Sequence, residues 1–132
     1  MKHNVIPAIL LLAACTAGQG DIEIAGDWTN SWGQAHRVTN EQWEIVDSVF
    51  AITEYDNDDH YAIAHNDDAN EYFPGLWSRF DWTYHADAWW VCQTAFDATD
   101  EDAALSTEAA DAADPATTGC AGFAWSELTV DE

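Results

Sequence analysis

The strongest constraint on the fold is a succession of strand-length segments that alternate apolar and polar residues, each closed by a turn cluster. Ser48 to Tyr55 sets Val49, Ala51, Thr53 and Tyr55 on one face and Phe50, Ile52 and Glu54 on the other, the two-residue period of a half-buried strand. Asp56-Asn57-Asp58-Asp59 breaks it, and His60 to His65 returns with the same period, so the pair reads as a hairpin. Ile22 to Trp28, His36 to Thr39, Gln42 to Val46, Leu76 to Tyr84, Ala88 to Phe96 and Phe123 to Val130 repeat the pattern. Ala88 to Phe96 is apolar on both faces, as in a strand covered from both sides. Only one segment reads as a helix, from Thr99-Asp100-Glu101-Asp102 through an alanine-rich run to Ala113, with Asp114-Pro115 as its stop. The expected fold is mainly β: an antiparallel meander of seven to eight strands forming a small barrel or curved sheet, with one late surface α-helix. Phe123, Trp125 and Leu128 are the packing candidates of the last strand.

Ahead of these strands stand Lys2, an apolar run from Val5 to Leu12 and a small-residue cleavage region, the parts of an export signal. The run is too short to span a bilayer. Leu12-Ala13-Ala14-Cys15 resembles the lipobox of bacterial lipoproteins, which implies lipidation of Cys15 and cleavage just before it. The expected organisation is a signal peptide over 1–14, a lipid-anchored linker over 15–20 and a single β domain over 21–132. Thr16 in place of Asp implies the outer membrane or cell surface. The linker reaches only about 12 Å as a flexible coil, so the domain would sit close to the membrane. With Cys15 acylated, Cys92 and Cys120 remain, and an oxidising compartment makes them a disulfide pair. Gly26-Asp27-Trp28 resembles the first strand of lipocalin-like and avidin-like barrels, which implies an indole plugging one end.

Charge excludes one class of partner. The chain has 3 basic and 25 acidic side chains and a net charge of −22, so nucleic acid is repelled and finds no basic footprint. Anionic lipid is equally unsuitable, leaving anchoring to the acyl groups. Such a surface suits salty surroundings, where self-repulsion is screened. The turns at Asp56 to Asp59 and Asn66 to Glu71 offer oxygen ligands for weak Ca²⁺ binding, and equally the plain turn chemistry of Asn and Asp.

Catalytic signatures are sparse. His36, His60, His65 and His85 have no metal-site spacing, and no Gly-x-Ser-x-Gly elbow is present. The expectation is a protein that is not an enzyme and needs no cofactor or metal; a hydrolase with paired carboxylates is the less favoured alternative. Eight tryptophans suit a small core of large side chains, with Trp77 and one of Trp89 and Trp90 as candidates for stacking on a sugar. Along Leu76 to Tyr84, parity puts Leu76, Phe80 and Trp82 on the core face and Trp77, Arg79 and Asp81 on the other. That second row is the candidate ligand site: either Arg79 ties strands together, or it serves an anion or carboxylate at a barrel mouth.

Several segments resemble a group of uncharacterised secreted lipoproteins of social and predatory bacteria. They are Tyr55-Asp56-Asn57, Asn66-Asp67, the run from Pro74 to Trp82 (PGLWSRFDW), Cys92 to Ala98 (CQTAFDA), Asp114 to Thr117 and Gly119-Cys120. The likeness runs from about Gly26 to Thr129, and a bond between Cys92 and Cys120 fits the group. It implies architecture and address. The function expected is a lipid-anchored envelope or cell-surface domain with a binding or structural role. The alternative is a small-molecule or carbohydrate-binding barrel using Arg79 and exposed tryptophan.

Overall fold

The computed structural model describes residues 19–131, which form a closed barrel of eight antiparallel strands in sequence order. The strands are β1 (Gly26–Asn30), β2 (Ala35–Val38), β3 (Gln42–Ile45), β4 (Ser48–Asp56), β5 (Tyr61–Asn66), β6 (Trp77–His85), β7 (Ala88–Ala98) and β8 (Ser126–Val130), with helix α1 (Glu101–Ser106) between the last two. Closure comes from β1 pairing with β8, Thr29 opposite Thr129. The mainly β meander with one late helix is therefore the fold. Cys92 and Cys120 are joined in a disulfide. The expected signal peptide, the lipobox-like run and Cys15 lie outside the described residues.

The interior is built from the inward rows. Trp43 stacks on Phe80 with centroids 4.3 Å apart, and Phe50 meets Phe80 edge-on at 5.3 Å. Trp82, Val38, Val91 and Leu128 complete this core, and fully buried Ala62 and Ala64 leave room on β5 for the large rings. The core row expected on β6 is thus the interior row, although Leu76 precedes the strand and is only half-buried.

Four expectations need correction. Ile22 to Trp28 is not one strand: β1 begins at Gly26, whose φ of +139° is outside the range of ordinary side chains. Ile22 and Ile24 instead turn across one end of the barrel, almost fully buried. Side chains hold this strap. Ile22 N–H donates to Asn40 Oδ1, Glu23 N–H to Asn57 Oδ1 and Trp28 Nε1 to Ile24 O. The Trp28 indole therefore does lie at a plugged end.

Second, the alternation of β4 is interrupted. The register slips between Ile52 and Glu54, so Thr53 forms a bulge and Tyr55 joins the face of Phe50 and Ile52 against the core. Third, the helix stops at Ser106 and not at Ala113. The cause is tertiary: the Leu105 and Thr107 carbonyls accept from Arg79, and Ala110 N–H donates to Asp81. These groups are thereby withdrawn from continuing a helix. Fourth, the last strand starts at Ser126, and Phe123 is 76% exposed, whereas Trp125 and Leu128 are buried as expected.

The segment between α1 and β8 packs close to its own backbone. A Cβ on Gly119 would lie 2.0 Å from Asp111 O and 2.7 Å from Trp125 Nε1. Only glycine fits there.

Candidate functional site

The row Trp77, Arg79 and Asp81 lies on the outer wall of the barrel, beneath α1 and the segment that follows it. Arg79 and Asp81 are 6% and 3% exposed. The guanidinium sits 3.1 Å from Asp81 Oδ1, with its other nitrogen donating to the Leu105 and Thr107 carbonyls at 3.1 and 3.0 Å. Its planar face covers the Tyr61 ring at 4.5 Å. Burial, then the neighbouring Glu54 carboxylate, push the Tyr61 phenol up. Asp81 also accepts from the Thr94 hydroxyl and from Ala110 N–H. Thr53, exposed by the bulge, donates to Glu101 at 2.6 Å and ties the start of the helix to the same wall. The pair is consumed by protein groups, so the expected placement at a barrel mouth is corrected: these residues clamp the late segment to the sheet. Trp77 leans on His65 at 4.8 Å.

The barrel has an open end opposite the strap. There a cavity of about 410 Å³ enters the interior, bounded by the β1–β2 turn, the β3–β4 turn, the β5–β6 loop and the end of β7. Its apolar side is Ile45, Phe50, Tyr72, Phe73 and Phe96, and its polar side is Asn30, Gln34, His36, Ser48, Asn66, Gln93 and Ser126. Aromatic walls with a few polar groups are the usual make-up of a small-molecule site, and the volume falls within the usual range of about 300 to 1,000 Å³.

Each polar group is positioned by the fold. Asn66, 1% exposed, ends β5 and donates to the Phe73 and Phe96 carbonyls at 2.9 Å each. Its oxygen accepts from Ser78 at 2.6 Å, and Gln93 Nε2 donates to Ser78 Oγ at 3.1 Å. This chain of bonds holds Phe73 at φ +51°, a strained conformation for an aromatic residue, at the rim and 4.9 Å from Phe96. Asn70 fastens the same loop to β4 through both bonds with Val49. The Pro74-Gly75 turn therefore serves the rim of the cavity.

On the other wall, His36 is 5% exposed. Its Nδ1 lies 3.0 Å from Trp43 Nε1 and its Nε2 3.0 Å from Asn30 Nδ2. Burial lowers its pKa from 6.5 to about 4, so the ring is neutral at pH 7. Sequence reasoning passed over His36 because it looked for shared metal ligands; the missed signal is its inward parity with Val38 on β2, three residues from a polar turn.

The acidic turns act locally. Asp56 Oδ1 accepts from the N–H groups of Asp58 and Asp59, and Asp67 Oδ2 from that of Ala69. Among the described residues, no group of three or more His, Cys, Asp or Glu side chains is placed to hold a metal ion. Comparison with protein-family models, curated proteins and solved structures gave no match.

Proposed function

We propose that this chain is a lipid-anchored envelope protein that binds a small molecule inside its barrel, in the cavity at the open end. The observation that carries the reading is the cavity itself: about 410 Å³, aromatic on one side, with hydrogen-bonding groups on the other. Gln93 Oε1 and the hydroxyls of Ser48 and Ser126 have no protein partner among the described residues, so they stand available to a ligand. The strained rim at Phe73 agrees with this, since such conformations cluster at binding sites. The paired-carboxylate alternative draws no support from this cavity, whose described lining contains no carboxylate.

Anchoring rests on the lipobox ending at Cys15. The strap that follows is pinned across the closed end, Tyr55 donating to Gly20 O at 2.5 Å and Asn57 Nδ2 to Asp21 O at 2.9 Å. An acyl group at Cys15 would then hold the closed end toward the bilayer and leave the mouth facing away from it. Two measurements test the reading. Mass spectrometry of wild type against Cys15→Ala is expected to show loss of acyl mass. Titration with the uncharged fluorophore N-phenylnaphthylamine is expected to give one site per chain, abolished in Ser126→Phe and Ser48→Phe, which fill the cavity. Unchanged binding in both filled variants, with the fold intact, overturns the cavity reading.

A further inference from the structure

The charge of this molecule and the charge of its cavity do not match. Of 25 acidic side chains, none is among the described lining residues, and neither is an arginine or lysine. The two arginines of the described residues are spoken for: Arg37 pairs with Asp27 on the exterior, and Arg79 is buried under the late segment. Exposed acids flank the mouth instead. Asp47 lies beside Ser48, Asp67, Asp68 and Glu71 lie on the β5–β6 loop, and Asp97 follows Phe96.

An anion approaching this mouth meets a negative potential and, once inside, no counter-charge. A cation is attracted to the rim, but its desolvation in an uncharged interior is unfavourable, with no carboxylate to offset it. An uncharged molecule meets neither obstacle.

The second observation is a buried donor lacking an acceptor. Indole N–H is only a donor, so with Trp43 Nε1 at 3.0 Å the Nδ1 of His36 must accept. The neutral ring then carries its proton on Nε2. Nε2 faces Asn30 Nδ2 at 3.0 Å, itself a donor. Turning the Asn30 amide over does not help, because its oxygen already accepts from the N–H groups of Trp32 and Gln34 at 2.9 Å each. By this reasoning the Nε2–H group has only the Asn30 amide nitrogen beside it and no acceptor among the described residues, and both side chains belong to the cavity lining. Gln93 Oε1 is the complementary case, an acceptor awaiting a donor.

Resting on the cavity reading above, we propose that the site takes uncharged, ring-bearing small molecules that present a hydrogen-bond acceptor to His36, and excludes their anionic counterparts. The rings lie against Phe50, Phe73 and Phe96, and the acceptor completes the bond His36 lacks. Selectivity comes from the interior, so salt that screens the rim does not abolish it.

Three fluorescent probes on one ring frame test this with the wild-type domain: prodan, an uncharged dimethylaminonaphthalene ketone; the parent dimethylaminonaphthalene, which lacks the carbonyl; and dimethylaminonaphthalene sulfonate. The expected order is ketone tightest, the parent about 5- to 10-fold weaker for one lost hydrogen bond, and the sulfonate about 100-fold weaker or worse at both low and high salt. Sulfonate binding equal to or tighter than the ketone overturns the charge selectivity and leaves the cavity reading standing. Equal binding of ketone and parent overturns the role of His36. Failure of all three overturns the cavity reading together with this proposal.

Discussion

Replacing Arg79 tests whether it is a clamp or a ligand group, because the two roles predict opposite outcomes for stability and binding. Arg79 and Asp81 are 6% and 3% exposed, so water cannot take over from either partner. Arg79→Leu leaves the Asp81 carboxylate buried beside an aliphatic chain and removes the donors from the Leu105 and Thr107 carbonyls. Breaking a buried ion pair from one side costs about 3 to 5 kcal/mol. With a urea slope of about 1.5 kcal/mol per molar, the unfolding midpoint should fall by about 2 to 3 M. Asp81→Asn should cost less, because the two carbonyls still hold the guanidinium. The double variant Arg79→Leu with Asp81→Leu should be more stable than the two single losses added together, since no charge is left unpaired. The assay is urea denaturation followed by tryptophan fluorescence, with probe affinity measured on the folded variants. A midpoint shift under about 0.5 M, or selective loss of probe binding with stability intact, would refute the clamp.

The remaining predictions concern acid and reductant. The folded-state pKa of His36 lies below the unfolded value, about 4 against 6.5, so the stability that rests on its neutral ring is complete above pH 6.5 and is lost as pH falls toward 4. Linkage puts the loss at about 2 kcal/mol by pH 5, and His36→Gln, which retains an acceptor for Trp43, should remove that part of the pH dependence in denaturant titrations; an identical pH dependence in both proteins would contradict the assignment. Reduction of Cys92–Cys120, which closes a separation of 28 residues, should lower stability by about 3.5 kcal/mol by loop entropy and raise hydrogen exchange chiefly between α1 and β8, whereas a uniform rise across the barrel would contradict the local role.

Hairpins were legible because their signals are local. The turn at Asp56 to Asp59 and the two-residue period on either side need no knowledge of the rest of the chain, and both strands lie where the pattern puts them. The inward placement of Phe80 and Trp82 followed from parity alone. The β4 bulge was hidden because Tyr55 fits either face as an amphipathic ring. The helix was read too long because alanine propensity is a weak preference, and Arg79 competes for its carbonyls from a strand more than twenty residues away. Arg79 itself looked available because parity says which side of a sheet a residue faces and not whether that side is covered.

Sequence by itself determined the class of fold, the pairing of neighbouring strands and the cysteines available for one bond, since each depends on residue type or spacing along the chain. Tertiary structure decided the rest. Closure of β1 on β8 created an inside, the strap of Ile22 and Ile24 stopped one end of it, and the late segment buried the arginine on the outside. The candidate site passed from the charged row on β6 to an uncharged cavity drawn from seven strands, the β1–β2 turn and the β5–β6 loop. No pattern along the chain announces such a cavity, because its walls become neighbours only when the first strand meets the last.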